Sequence, residues 1–389
     1  GLIYVLFRST KLRMFQWFSF IGLDGAIQSS RNKMFEFKNH IPNWVYYSLP
    51  DGLWIYSFTS AIIIYWNNDN KKIKLSIAIP TYNGARFIRQ TLDSIVDQLN
   101  DADEEMEIVV SDNASTDKTP EIIKEYKGKH PFIKYFRNDE NLGFDKNVDL
   151  LFKRAKGEYV WLFSDDDIIV QGGIKKVLEV IKKNPEVALI FVNWSNYSQD
   201  LKHCNVERAV EIHEDILFLR ADDFLFTIKL NPILISSNVI SRKLWEESFP
   251  EIYVGTNWIH YGVILNIILK HFSYYIAKPY VIYRSGNIRW DKEGAIGLLN
   301  SISLMRILSG FLRKGYYKKS ASESAKIIMR SLPRDIKILK KKRISFQDFH
   351  TKTIISQFKS YPFFWVVIIP LLLLPSDFYI LISNVHEQN

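Results

Sequence analysis

The spacing of apolar residues changes repeatedly between two periods in the middle of the chain, which predicts an alternation of strands and helices. Short apolar runs predict strands, and apolar residues at helical spacing predict the helices between them. Strands are expected at 74–79, 107–111, 132–136, 159–163 and 187–193, and helices at 86–99, 119–126, 143–155 and 174–183. This alternation is typical of an α/β fold with a mainly parallel sheet and helices on both faces.

The region before this pattern is aromatic and irregular. Within residues 1–71, the run 53–66 is apolar and carries Trp54 and Trp66 near its ends, as is typical of a segment at a membrane interface. It is shorter than the roughly 20 residues that span a bilayer. A membrane-embedded or interfacial segment is therefore predicted, with a buried helix as the alternative. The polar stretch 67–72 leads into the α/β region.

The region after the α/β pattern, residues 291–389, is helical in pattern and contains a strongly apolar run at 361–382. Pro370 and Pro375 would interrupt a straight spanning helix. A membrane anchor that re-enters or lies in the plane is expected, and a buried C-terminal helix is the alternative. The predicted division is therefore 1–71, 72–290 and 291–389, with membrane association at both ends.

The net charge of +9 comes entirely from the last of these regions. Residues 291–389 contain 16 Lys and Arg against 7 Asp and Glu, whereas residues 1–290 contain 35 of each sign. The basic block 337–343 could bind nucleic acid or an anionic membrane surface. The apolar run nearby favours the membrane, and no nucleic-acid-binding module accompanies the block.

Cysteine usage and targeting signals bear on the compartment. The single cysteine, Cys204, excludes an internal disulfide framework and fits a reducing environment. No signal peptide with a cleavage site is recognisable. The chain is therefore expected on the cytoplasmic side of a membrane.

Three consecutive carboxylates follow the buried strand at 159–163, in the sequence 164–167, Ser-Asp-Asp-Asp. Their charges repel one another, and burial would raise their pKa values unless a cation lies among them. Oxygen ligands favour a hard ion such as Mg²⁺ or Mn²⁺, which commonly also binds phosphate oxygens. The triplet predicts a metal–diphosphate site, and the alternative is a solvated acidic turn.

Two further polar loops, 80–84 and 112–117, close the first and second predicted strands. Ligands bind at the carboxyl ends of strands in open α/β sheets, so these loops and the triplet are expected to line one crevice. Tyr82 offers an aromatic face to a nucleobase, and Asp112 can accept a hydrogen bond from a pyrimidine. Asn113 and Ser115 lie at a helix entry, where phosphate binds well.

The motifs 79–83, 110–117, 141–143 with Asn147, and 164–167 resemble the motif series of the family 2 glycosyltransferases, which have the Rossmann-like GT-A fold. The resemblance is strong over residues 74–200 and loose over 200–290. Within the family, the chain is most similar to abequosyltransferase-type enzymes of bacterial O-antigen and capsule assembly.

The resemblance implies a nucleotide-diphosphate sugar donor, a Mn²⁺ or Mg²⁺ ion, and transfer of the sugar to a hydroxyl of a glycan or polyprenyl-linked glycan. It implies Asp167 as the main metal ligand together with Asp165, and Asp166 close to the donor. Lys146, alternatively a solvated helix residue, and Arg284 would lie near the diphosphate. The other implied donor-binding residues are Pro80, Thr81, Tyr82, Asn83, Asp112, Asn113 and Ser115.

The general base is the point at which the chain departs from the family. Many members carry a Glu-Asp pair before a helix in the acceptor half, but the matching stretch here is 255–260, Gly-Thr-Asn-Trp-Ile-His. Asn257 cannot accept a proton, so His260, Glu251 and Asp166 are the catalytic candidates. An ordinary helical role for His260 is the alternative. The inverting or retaining outcome stays open.

The predicted function is therefore sugar transfer in bacterial surface polysaccharide synthesis, at the cytoplasmic face of the inner (plasma) membrane. The expected partners are a nucleotide sugar, a glycan or polyprenyl-linked glycan acceptor and an anionic membrane surface, without nucleic acid. Two alternatives are a non-catalytic membrane scaffold with a degenerate transferase domain and another nucleotide-sugar enzyme such as a nucleotidyltransferase. The latter would usually carry a glycine-rich basic loop after the first strand, which 80–84 lacks.

Overall fold

The chain divides into two compact units, residues 1–71 and 72–389. The computed structural model describes residues 28, 73–99, 105–287, 296–313, 318–341, 355, 358–359 and 361–376. The aromatic run 53–66 and the end of the apolar run, 377–382, lie outside the described residues, so their membrane association stays a prediction. The account that follows concerns the second unit.

A ten-stranded mixed sheet organises the described part of this unit, in the order β3-β2-β1-β4-β9-β6-β10-β5, with β7 paired to β6 and β8 to β10. The strands are β1 (Leu75–Thr81), β2 (Met106–Asp112), β3 (Ile133–Arg137), β4 (Tyr159–Leu162), β5 (Ile168–Ile169), β6 (Val187–Tyr197), β7 (Cys204–Val206), β8 (Ile216–Phe218), β9 (Asn238–Ser241) and β10 (Phe272–Arg284). Strands β3, β2, β1 and β4 are parallel neighbours, and so are β6 and β10.

The sheet is mixed rather than mainly parallel, because β5, β7, β8 and β9 all pair antiparallel with their neighbours. The four-residue strand β9 lies between β4 and β6 and runs antiparallel to both. Strand β9 is too short to produce a periodic sequence signal, which is why the predicted alternation of strands and helices does not include it. Its insertion brings β6 and β10 into the same direction as β1 and β4, so their carboxyl ends share one edge of the sheet.

The described helices are α1 (Ile88–Val96), α2 (Thr119–Lys129), α3 (Phe144–Arg154), α4 (Gly173–Lys183), α5 (Ala221–Ile228), α6 (Arg242–Glu247), α7 (Ile259–Ile268), α8 (Ile296–Arg313), α9 (Lys318–Lys341) and α10 (Ile369–Leu373). Short 3₁₀ turns lie at Asn231–Ile233, Ile235–Ser237 and Pro250–Tyr253, and a π-helix at Phe364–Ile368 leads into α10. The elements predicted between residues 74 and 193 are confirmed to within a few residues at their ends.

Two hydrophobic cores lie on opposite faces of the sheet. Helices α1, α2 and α4 pack on one face through residues such as Leu92, Ile123 and Val177. Helices α3 and α5–α9 pack on the other face, where Phe152 stacks on Trp245 with ring centroids 3.6 Å apart. The prediction of helices on both faces is confirmed.

The C-terminal elements belong to the second of these cores. Phe364, Ile368 and Leu372 are buried in it beside residues of α8 and α9. The ammonium of Lys340 donates hydrogen bonds to the carbonyl oxygens of Leu372 (2.9 Å) and Leu374 (2.5 Å), where the last turn leaves carbonyls without helical partners. Across the described residues, each helix falls short of the length or the apolar content needed to cross a membrane.

Candidate active site

The ends of β1, β2 and β4 bring the predicted site loops together at one edge of the sheet. Thr81 is the register partner of Asp112 across β1 and β2. The Thr81 hydroxyl also donates a 2.5 Å hydrogen bond to Oδ2 of Asp165, just beyond β4. A Cβ added to Gly84 would lie 2.3 Å from that same carboxylate oxygen. Loop 80–84 therefore approaches the acidic triplet as closely as a glycine allows.

Loops 80–84 and 112–117 are joined by hydrogen bonds. The Asn83 backbone N–H donates to the Ser115 hydroxyl (2.9 Å), and the Asn83 side-chain oxygen accepts from the Thr116 N–H (2.8 Å). Asn83 adopts a left-handed backbone with φ of 54°, which Asn tolerates better than most residues. Tyr82 between them is 44% exposed, so its ring is available to a planar ligand.

Asp112 is fully buried, and its carboxylate is bound on both oxygens. Oδ1 accepts the backbone N–H of Ser115 (2.8 Å), and Oδ2 accepts the hydroxyl of Tyr135 (2.8 Å) and lies 3.7 Å from Arg137. Burial, together with this hydrogen bond, raises the pKa of Tyr135, which keeps its proton for donation. In this arrangement Asp112 stabilises the shape of loop 112–117, and Tyr82 offers a nucleobase the more accessible surface.

A network of amides joins the end of β2 to the start of α3. The Asn113 side-chain oxygen accepts from Asn138 (3.0 Å), and its amide donates to the Asn141 side chain (2.7 Å). Asn147 accepts from the Ser111 hydroxyl at 2.7 Å. Asn113 thus stabilises loop 138–143 from inside. Sequence reasoning missed Asn138, since a lone Asn after a strand is an ordinary turn residue. Lys146 is exposed on α3.

The three carboxylates of the triplet differ in burial. Asp167 is 1% exposed, and its oxygens accept the Ser236 hydroxyl (2.6 Å) and the backbone N–H of Arg284 (3.0 Å). Burial, and then repulsion from Asp166, raises the pKa of Asp167 well above its usual value. Asp166 is the least buried member and accepts from Ser164 and Asn287.

The triplet suits a cation in ligand type and charge. Oxygen ligands fit Mn²⁺ or Mg²⁺, and the repulsion that raises the pKa of Asp167 is what a cation would relieve. The described residues nevertheless include no group of three or more His, Cys, Asp or Glu side chains arranged to hold a metal ion. Because Asp167 is enclosed by protein donors, this geometry favours the more accessible Asp166 as the carboxylate that would meet a cation.

Arg284 ends β10 beside the triplet, as the motif comparison predicts for its position. Its Nε donates to the Asp166 carbonyl (2.8 Å), its Nη1 to the Gln199 carbonyl (2.6 Å) and its Nη2 to the Gln90 side chain (2.7 Å). The guanidinium also lies 4.5 Å from the ring centroid of Phe87. A cavity of about 620 Å³, lined by Arg284, Arg86, Phe87, Gln90, Ser198, Gln199 and Asp200, opens beside it. Arg284 therefore contributes a fixed positive charge to the wall of this cavity.

His260 is enclosed at the start of α7. It is 1% exposed, its Nε2 lies 3.0 Å from the Ile233 carbonyl oxygen, and Phe144 packs edge-on against its ring. Burial lowers the pKa of His260 to about 4, so the imidazole is neutral near pH 7. This enclosure argues for a packing role over proton exchange with an acceptor. Glu251, the other acceptor-side candidate, is exposed on the 3₁₀ turn upstream.

Asp145, which sequence reasoning missed, holds the acceptor-side loop in place. It is buried in the first turn of α3, and its carboxylate accepts the backbone N–H groups of Asn257 (2.8 Å) and Ile259 (3.2 Å). The Ile259 N–H lies in the first turn of α7, where backbone donors have no partner within the helix, and Asn257 lies just before the helix, so Asp145 caps a helix more than 100 residues away in sequence. An acidic residue in a first turn is common, and nothing in the sequence marks this one.

The comparisons with known proteins agree with this geometry. Residues 76–243 match the model of the family described as Glycosyl transferase family 2. The chain contains a family 2 glycosyltransferase domain. Both the family and the glycosyltransferase activity predicted from the motif series are thereby confirmed.

Curated relatives extend the likeness beyond the matched domain. Abequosyltransferase RfbV of Salmonella typhimurium is 28% identical over 277 residues, covering 64% of this chain and 79% of that protein. A GalNAc(5)-diNAcBac-PP-undecaprenol beta-1,3-glucosyltransferase of Campylobacter jejuni is 27% identical over 265 residues, covering 64% and 80%. Among solved structures, Staphylococcus aureus TarS 1–349 is 18% identical with a TM-score of 0.47, covering 74% of this chain and 89% of that one. The subgroup predicted from the motifs, enzymes of O-antigen and capsule assembly, agrees with the curated relatives.

Proposed function

We propose that this glycosyltransferase moves a sugar from a nucleotide-diphosphate donor to a hydroxyl of a lipid-linked glycan during bacterial surface polysaccharide synthesis. One observation carries the proposal: loops 80–84 and 112–117 are hydrogen-bonded to each other, and Thr81 and Arg284 both hydrogen-bond to the acidic triplet. The name of the Campylobacter jejuni relative includes a diphosphate-linked undecaprenol, which supports an acceptor of this class.

Donor binding is assigned to the loops beyond β1 and β2. The exposed ring of Tyr82 would stack on the base, and the Asn83–Ser115 and Asp112–Ser115 hydrogen bonds hold the surrounding backbone ready for it. Pro80 and Thr81 shape the approach to the triplet, and Asn113 fixes the neighbouring loop. Because these contacts are made within the protein, the loops would need little reordering to bind a donor.

The diphosphate is assigned to the region between the triplet and Arg284, in a GT-A-type arrangement. Asp166 and Asp165 would hold a divalent cation, with Asp167 supporting them from beneath. When bound, Mn²⁺ or Mg²⁺ would supply positive charge against the leaving nucleoside diphosphate. Arg284 adds a fixed positive charge at the same place, and the exposed Lys146 is a further candidate from α3. The charge that develops on the leaving group is thereby stabilised in position.

The acceptor hydroxyl must lose a proton as it attacks the anomeric carbon. His260 is enclosed and carries little basicity, so we assign it to packing. Glu251 remains the candidate for the base, since its carboxylate is exposed and Asp166 is assigned to the cation. The proposed cellular location is the cytoplasmic face of the inner membrane, with residues 1–71 and 291–389 as its membrane-associated parts.

The experiment that tests the proposal is thermal unfolding with UDP-, GDP-, CDP- and dTDP-sugars, with and without Mn²⁺. A donor at about 100 times its dissociation constant should stabilise the protein by roughly 2.7 kcal/mol. We expect one nucleotide to give a Mn²⁺-dependent shift that Tyr82→Ala and Asp166→Asn both reduce. Glu121→Gln, an exposed change on α2, is the control. A folded protein that responds to none of the nucleotides would instead support the scaffold alternative.

A further inference from the structure

The exposed side of α9 is a stripe of positive charge. Five cations recur at spacings of three or four residues, so they share one face of the helix. They are Lys326, Arg330, Arg334, Lys337 and Lys341, all exposed. Carboxylates partner some of these cations: Lys326 lies 2.7 Å from Glu323, and Arg334 lies 3.6 Å from the buried Asp335. Ile327 and Ile338, also exposed, lie next to the stripe.

The segment 361–376 exposes an apolar surface on the side away from the core. Trp365 is 50% exposed, Val366 74% and Leu373 78%, and Phe363 is exposed as well. Their neighbours Phe364, Ile368 and Leu372 are buried in the core, so the segment is apolar on both sides. A second apolar side has no packing purpose within the described part of the unit, and contiguous exposed patches of this kind mark interaction sites.

These two surfaces adjoin. Lys340 reaches from α9 to the carbonyl oxygens of Leu372 and Leu374, which fixes the end of the segment against the end of the helix. Both elements also bury their inner sides in one core. Helix α9 also packs directly against the π-helix and α10. We call the nine exposed side chains of these elements the basic–apolar face: Lys326, Arg330, Arg334, Lys337, Lys341, Phe363, Trp365, Val366 and Leu373.

We propose that the basic–apolar face docks in the plane of an anionic lipid bilayer. In this mode the apolar side chains enter the boundary between headgroups and acyl chains, and the cations bind the anionic headgroups around them. The inference rests on the proposed function in one respect: a lipid-linked acceptor would lie in the same bilayer surface. Of the two predicted modes, an anchor that re-enters the bilayer and one that lies in its plane, the inference selects the second, since the segment is folded onto α9.

The positive charge of the basic–apolar face favours a lipid surface over a second copy of the chain as its partner. Two copies meeting through this face would bring ten cations together, and like charges oppose such an approach. An anionic bilayer supplies the opposite charge and an apolar layer at the same depth. The helices that the structure describes are too short or too polar to span that layer, which fits in-plane docking.

The single native cysteine makes a position-specific test possible. The full chain carrying Cys204→Ser and Val366→Cys would be labelled with the environment-sensitive fluorophore NBD. We expect its emission to shift to shorter wavelength with phosphatidylethanolamine–phosphatidylglycerol vesicles and to stay unchanged with phosphatidylcholine vesicles. Lys127→Cys in the same background, on α2 at the opposite face of the sheet, is the matched control and should not shift.

A charge test accompanies the label. Arg330→Glu with Lys337→Glu should weaken sedimentation with the anionic vesicles at least about tenfold. Lys124→Glu with Lys127→Glu, the same charge change on α2, should leave it unchanged. The proposal is overturned if the protein sediments while the label at position 366 stays in water. It is also overturned if the label shifts on concentrating the protein without vesicles, which would indicate a second copy.

The failure of this proposal is separable from failure of the proposed function. Sugar transfer to a water-soluble acceptor analogue should survive the Arg330→Glu and Lys337→Glu changes, because neither residue belongs to the donor site. If this variant loses both sugar transfer and vesicle binding while its thermal stability is unchanged, the basic–apolar face and the donor site are not separate surfaces. If no nucleotide sugar shifts the thermal unfolding of the protein, the proposed donor site is contradicted, and the result with vesicles is not affected.

Discussion

The donor-side loops, 80–84 and 112–117, and the acceptor-side segment, 249–260, use polar residues in opposite ways. In the donor-side loops, buried polar groups such as Asp112 and Ser115 hold backbone in place around the exposed ring of Tyr82. In the acceptor-side segment, the polar residue that was the best catalytic candidate, His260, is itself enclosed. A polar side chain therefore indicates function only where the fold leaves it a route to a ligand.

The largest expected effect tests the donor side through the triplet. Asp166→Asn keeps the shape of the side chain and removes the charge, so we expect kcat for sugar transfer to fall at least about 100-fold. Thermal stability should change little, because Asp166 is the least buried of the three carboxylates. Initial rates of nucleoside diphosphate release would measure the change. A variant with the rate of the parent protein would remove Asp166 from the donor site.

The pH dependence of stability tests the acceptor-side segment. His260 has its pKa lowered to about 4 by burial, below the value of about 6.5 in an unfolded chain. Between these pH values, the unfolded state binds a proton on His260 that the folded state does not bind. The stabilisation from the neutral, buried imidazole is therefore complete above about pH 6.5 and is lost as the pH falls towards 4. The loss should reach about 3 kcal/mol.

The variant His260→Gln sharpens this prediction. It can still donate to the Ile233 carbonyl but does not titrate, so the unfolding free energy should vary less between pH 4 and 6.5. Sugar transfer at neutral pH should be retained if His260 only packs. Denaturant unfolding across that pH range, with kcat at neutral pH, separates the two roles. A large loss of kcat at unchanged stability would restore His260 as the base.

The close approach of loop 80–84 to the triplet gives a third test. Gly84→Ala would place a Cβ 2.3 Å from Asp165, so we expect a loss of about 1–3 kcal/mol and weaker donor binding. Gly128→Ala on α2, where an added Cβ meets no atom within 4 Å, is the matched control and should stabilise slightly. Equal effects of the two changes on unfolding would mean that the loop can move away from Asp165 freely.

The smallest expected effect concerns the cap that Asp145 provides to α7. Asp145→Ala removes the acceptor of the Asn257 and Ile259 N–H groups, so stability should fall by about 1–2 kcal/mol. The KM for the acceptor should rise more than that for the donor, because the loop at 255–258 loses its support. Lys153→Ala, an exposed position later on α3, should change stability little and neither KM. A rise confined to the donor KM would place the effect in the other half of the site.

The sequence predicted the donor half well because its signals are local. Each strand from β1 to β4 is an apolar run that ends in a polar loop, and the order of the loops identifies the edge of the sheet. The acceptor half depends on contacts between distant residues. The Asp145 cap and the antiparallel β9 join parts of the chain far apart in sequence, and neither leaves a periodic signal.

The burial of individual site residues could not be predicted from the sequence either. His260 and Glu251 were equal candidates as residue types, yet the fold encloses one and exposes the other. The same applies to the triplet, where Thr81 covers Asp165 and Ser236 covers Asp167, while Asp166 stays the most accessible of three identical side chains.

The hydrogen bond from the Arg284 N–H to Asp167 also sets an order of events during synthesis. It joins residues 117 positions apart, and the acidic loop lacks this contact until β10 has left the ribosome. The loops around Tyr82 and Asp112, by contrast, need only residues up to about Asn147. Since a nascent chain emerges from its N-terminal end, the nucleotide-facing surface can take shape while the acidic loop is still incomplete. A chain truncated before residue 284 would thus keep the framework of one half of the site and lack the contacts that complete the other.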